Sequence, residues 1–177
     1  MTSAWQYFPV ILIFALISLA ITRLKTAHFT GTQRFVLTTV VVYLAALDLL
    51  CFTPSQISWA ALNDLQPTWL LGRVPANFIP FYKIDLGFFL NILMTIPLGI
   101  YLSLLVKQPS LALSLKAGLI CGVTIESSQL LFGALFDIKR WVDINDVITN
   151  CLGVLLGYGT YVAITKLSPK LVRSFEL

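Results

Sequence analysis

Seven polar residues carry the chemistry that this chain can offer: Asn91, Glu126, Gln129, Arg140, Asp143, Asp146 and Asn150. Glu126 and Gln129 are three apart, Arg140, Asp143 and Asp146 follow at the same interval, and Asn150 comes four later. Such intervals put side chains on one face of a helix. An arginine among carboxylates and amides can grip a phosphate or carboxylate through a bidentate pair, with the amides orienting the rest of a ligand. Alternatively, Glu126 with Asp143 or Asp146 can supply a general acid and base, because neighbouring carboxyls in a partly dry site acquire separated pKa values. The same carboxylates could hold an oxygen-ligated Mg²⁺; no other cofactor is expected.

The elements that position these residues are read from a very apolar background. Of 177 residues 58% are hydrophobic and only 11% charged, against roughly 25% charged in soluble domains. Mean hydropathy is +0.87. The chain is therefore expected to be an all-α, polytopic membrane helix bundle forming a single domain over residues 1–177. The net charge of +4 does not imply nucleic acid, since the basic residues sit in short loops beside apolar runs, where topology and anionic lipid account for them. Cys51, Cys121 and Cys151 are far apart within apolar runs and read as small buried residues. His28 is the one histidine, which argues against a His-based metal site or triad.

Five spans are expected, at about residues 5–22, 35–52, 86–106, 111–132 and 147–167. The first, opened by Trp5 and Tyr7, has no basic residue before Arg23 and reads as a retained helix rather than a cleaved leader. Residues 53–85 form an extracytoplasmic loop in which Trp59 lies on a candidate interfacial helix. Eight of the twelve Lys and Arg residues (Arg23, Lys25, Arg34, Lys107, Lys116, Lys166, Lys170 and Arg173) fall on one side of this arrangement. The positive-inside rule makes that side cytoplasmic, with the N-terminus outside and the C-terminus inside. Asp48, Asn91, Glu126, Gln129, Asp146 and Asn150 then share the outer leaflet.

Several of these residues have purely structural explanations. Asp143 and Asp146 begin a span, where a cap and a first-turn acid are common. Asn91 and Gln129 can bond between helices, Gly153 and Gly157 can serve packing alone, Pro97 can kink its span, and Asp48 can reach the headgroups. Glu126 within a span needs a partner, and Arg140 is the expected one. Gly118, Gly122, Glu126 and Gln129 are expected to pack against Asp146, Asn150, Gly153 and Gly157.

The segments NFIPF (residues 77–81), NILMTIPLGIYL (91–102), ESSQ (126–129) and RWVDINDVITNCLGVLLG (140–157) together resemble the VanZ-like family, over a core of about residues 44–159. The resemblance implies a multi-pass protein of the bacterial cytoplasmic membrane, associated in some members with teicoplanin resistance. It carries the family's polar pattern onto the same seven residues, without supplying a reaction.

Three functions follow. The first is a binding protein whose outward polar pocket takes an envelope lipid, a lipid-linked cell-wall precursor or a glycopeptide. The second is a membrane-embedded enzyme using Glu126, Asp143 and Asp146 on a lipid-linked substrate. The third, a proton-coupled carrier, is disfavoured by the lack of an inverted repeat. Oligomeric state is not legible. Single cysteines at positions 137 and 26 test the topology: a membrane-impermeant thiol reagent should label the former in intact cells and the latter only after lysis. The reverse pattern would invert the arrangement.

Overall fold

The computed structural model describes residues 4–24, 29–54, 69–82 and 84–176. A 3-10 turn at Ala4–Tyr7 leads into α1 (Phe8–Leu24), followed by α2 (Gly31–Phe52), α3 (Leu86–Leu105), α4 (Leu111–Phe136), α5 (Ile144–Leu167) and α6 (Pro169–Phe175). Side-chain caps start the long helices. Thr30 and Gln33 form a capping box before α2, while Asp85, Ser110 and Asp143 accept from backbone amides before α3, α4 and α5.

Among the described residues four helices, α2 to α5, are long and apolar enough to cross a membrane. The first expected span is the exception in length. With 17 residues, α1 reaches roughly 25 Å at 1.5 Å per residue, short of the roughly 30 Å hydrocarbon core. α3 runs unbroken through Pro97. The interfacial helix expected around Trp59 lies outside the described residues.

An all-helical reading misses a small sheet. β1 (Trp69–Leu71) pairs antiparallel with β2 (Val74–Asn77), and β2 pairs parallel with β3 (Val142–Asp143). Gly72, at positive φ, makes the tight turn between β1 and β2. The strands are too short to show alternation in the sequence, and β2 contains a proline. β3 also supplies the N-cap of α5, so the sheet is fastened to the start of that helix.

α5 is the central helix, packed along both α3 and α4. The expected partnership of two glycine faces is corrected here. Gly118 and Gly122 of α4 do meet α5, but at Cys151 and Val147: a Cβ added at these glycines would stand 2.9 Å from either Cα. Gly153 and Gly157 turn toward α3 instead, against Ile92, Thr95, Ile96 and Gly99. Adjacent residues on a helix are about 100° apart, so Val147 and Cys151 form a second face beside that of Asp146, Asn150, Gly153 and Gly157. The matching stripe on α3 is Asn91, Thr95, Gly99 and Ser103, spaced by four. Thr95 Oγ1 closes it by donating to the Asn150 carbonyl at 3.0 Å. Close backbone approach through small residues is how membrane helices gain packing without a hydrophobic drive.

Added bulk at this seam should be costly. At Gly157 a Cβ would run into the Ile96 carbonyl and lie 2.8 Å from the Gly99 Cα, whereas Gly159 has nothing within 4 Å. Gly157→Ala should therefore lower stability by about 1–3 kcal/mol, with Gly159→Ala near neutral, in thermal unfolding of the detergent-solubilised protein. Equal effects at the two positions would remove the packing explanation.

Candidate functional site

The sheet and the α5 N-terminus build one end of the bundle from hydrogen bonds. Register places Asn77 opposite Asp143, and Asn77 Nδ2 donates to Asp143 Oδ1 at 2.8 Å. The same carboxylate oxygen accepts the Asn145 amide at 2.8 Å, as a cap should. Asn77 also accepts the Ile79 amide at 2.9 Å, and Asn145 Oδ1 accepts that of Phe81 at 2.7 Å. Residues 77–81 are thereby tied to the helix start. Phe81, Asp137 and Lys139 all take φ between 54° and 60°, a left-handed conformation that costs non-glycine residues roughly 1 kcal/mol or more each and clusters at functional sites.

Glu126 reaches this junction from α4. It is 5% exposed, and its Oε2 accepts the Asp143 amide at 2.9 Å. The expected ion pair with Arg140 does not form. Arg140 Nη2 instead donates to the Leu50 and Thr53 carbonyls, both at 2.9 Å, while Gln129 Nε2 donates to Cys51 O at 3.0 Å. The last carbonyls of a helix lack intrahelical partners and carry partial negative charge. The end of α2 therefore competes for the guanidinium successfully. Asp48 also departs from expectation: rather than reaching the headgroups it is buried at 3% exposure, and neither oxygen has a hydrogen-bond partner.

A cavity of about 390 Å³ lies at this junction, and all seven expected residues line it. Sequence reasoning assigned no role to Asp85, Trp141 or Asn145, which line the same space, or to Asn77, which supports it. Asn77 lies in a quoted motif, but only the strand register reveals its partner. Asn145 falls between two aspartates, off the helical interval used to select residues. Among the described residues no three His, Cys, Asp or Glu side chains form a group that could hold a metal ion.

The cavity wall is polar beyond its own needs. Glu126 Oε1 and Asn150 Oδ1, two acceptors, are buried without a hydrogen-bond partner, as are two donors, Arg140 Nε and Trp141 Nε1. Unsatisfied buried polar atoms each cost about 1–3 kcal/mol and are few in native proteins. Burial pushes the Arg140 pKa down, against the opposing pull of the Asp146 and Glu126 carboxylates. Burial likewise raises Asp143, opposed by its bonds from Asn145 and Asn77.

A sequence model of the VanZ/LLP1 family matches residues 40–165. The chain belongs to this family. No curated protein and no solved structure matches it. The VanZ/LLP1 match takes in every residue named around the cavity, and with the four apolar helices it makes this a multi-pass membrane protein.

Because burial raises Asp143, the folded protein keeps that proton to higher pH than the unfolded chain does. The group's stabilising contribution is then present below its ordinary value of 3.8 and is lost as pH rises through the raised folded value. Asp143→Asn retains the cap oxygen and should flatten this decline in unfolding temperature with pH. An unchanged slope would assign the titration elsewhere.

Proposed function

We propose that this VanZ/LLP1-family protein is a binding protein of the bacterial cytoplasmic membrane, whose polar cavity opens at the outer face and takes a polar headgroup. The observation that carries this reading is the set of four unpartnered buried atoms, two acceptors and two donors, on residues around one cavity. Such a set complements a ligand with hydroxyl or amide donors next to oxygen acceptors. Hydroxylated lipid headgroups, the sugar–peptide part of a lipid-linked cell-wall precursor and a glycopeptide all have this character. A bare anion fits less well, because Asp85, Glu126, Asp143 and Asp146 outnumber Lys139 and Arg140 in the lining. The outward orientation is supported by the distribution of basic residues. Sequestering or handling such a molecule at the outer leaflet links this reading to lipoglycopeptide resistance.

A second reading, a membrane-embedded enzyme, draws support from the free Oε1 of Glu126. That oxygen would act as base toward a bound hydroxyl, with Asp146 or Asp143 as the partnering acid.

Trp141→Phe separates binding from architecture. Removing an unsatisfied donor should leave the stability of the free protein unchanged or raised, yet weaken binding about threefold to tenfold. Thermal protection of the purified protein by phosphatidylglycerol, a lipid-linked disaccharide–pentapeptide or teicoplanin provides the measurement, with Arg140→Ala as a second variant. Absence of protection by all three ligands would end the binding proposal. Conversion of the lipid-linked substrate, abolished by Glu126→Gln, would move the protein to the enzyme reading.

A further inference from the structure

A second, apolar hollow of about 190 Å³ lies beside the polar cavity, lined by Phe78, Val123, Leu130 and Val147 among others. Its residues come from α4, α5, β1, β3 and the segment following β2. Glu126 and Asp143 line both spaces. The hydrogen bond from the Asp143 amide to Glu126 Oε2 thus lies at the partition between them. One side is lined by residues that carry unpartnered buried donors and acceptors, the other almost only by hydrocarbon.

The groove is walled by two of the helices long enough to span the membrane, a position that in a bilayer would face lipid. Val123 is 52% exposed and Phe78 51%. The segments on either side of β2 also expose Trp69, Leu70, Ile79, Phe81, Tyr82 and Ile84. Exposed side chains of this composition are at home at a membrane interface, where aromatic rings sit at headgroup depth, and they mark a surface that is not turned to water. A ligand can therefore arrive sideways from the bilayer.

We infer that the groove holds a hydrocarbon chain of a membrane phospholipid whose hydroxylated headgroup occupies the polar cavity. This rests on the headgroup-binding proposal and narrows it to one occupant. The lipid straddles the Glu126–Asp143 bond, with its headgroup meeting the free atoms of Glu126, Asn150, Arg140 and Trp141. Its first chain segment lies against Val123, Leu130 and Val147. The continuity of the two spaces through Glu126 and Asp143 distinguishes this position from the general lipid contacts of the outer helix faces.

The test uses the full-length protein in phosphatidylcholine nanodiscs containing a trace of phosphatidylglycerol with a photoreactive diazirine in one chain. Label should concentrate on residues 123–130, be competed by unlabelled phosphatidylglycerol and resist added phosphatidylcholine. Leu130→Trp, which fills the groove, should reduce that label about tenfold. Val123→Trp, at an exposed position that leaves the fold least disturbed, should reduce it as well. Label spread equally over α2 and α3 faces such as Leu49 and Leu93, or undiminished in both tryptophan variants, overturns the inference. Trp141→Phe, with Arg140→Ala beside it, separates the two proposals. Groove label that persists while thermal protection by phosphatidylglycerol never depended on Arg140 or Trp141 leaves the groove standing and removes the headgroup site. Protection that depends on both residues with no groove label does the opposite.

Discussion

The hydrogen bond between the Asp143 amide and Glu126 Oε2 ties α4 to the point where β3 becomes α5. Inside a bilayer a polar group left unpaired is expensive, and water is not there to relieve it. Glu126 meets that demand with a backbone amide rather than a cation. Its acceptor is thereby fixed at the point where β3 becomes α5, and α4, the sheet and the central helix are set relative to one another. Asn77 reinforces the same point through the Asp143 side chain. The geometry of the cavity follows from this arrangement.

Two other polar residues that invite a catalytic reading also serve the backbone. Arg140 and Gln129 satisfy carbonyls at the end of α2, so the conspicuous arginine is first a helix clamp. That use leaves Arg140 Nε free, just as the Asp143 bond leaves Glu126 Oε1 free. Half of each side chain maintains the scaffold, and the other half is what the proposed ligand would meet. A substitution at either residue consequently mixes structural and binding effects, which makes Trp141, with its single unpartnered donor, the cleaner probe.

Much of the helical framework was legible because the signals are local. Apolar length identifies α2 to α5, and the cap at Asp143 marks where α5 begins; the caps at Thr30 and Asp85 emerge only in the structure. Six of the seven polar residues were selected by helical interval and Asn91 by its depth in the membrane, and all seven line one space. The sheet escaped because strands of two to four residues leave no periodic trace, and their pairing joins segments 66 residues apart, as Asn77 and Asp143 show. Trp141 and Asn145 escaped for related reasons: Trp141 precedes β3, where helical spacing does not predict direction, and Asn145 lies in the first turn of α5 but off the interval of its polar face.

What the sequence determined by itself was membership of a membrane fold and the composition of its polar end, because hydropathy and side-chain chemistry are properties of residues. Pairing was decided only in the tertiary structure. The glycines of α5 could have met α4 or α3, and rotation of the helix chose α3 for Gly153 and Gly157. Arg140 could have met Glu126 or the end of α2, and the free carbonyls of Leu50 and Thr53 took it. Such choices depend on which unsatisfied groups lie within reach once the helices are packed, and that distance is absent from the linear chain.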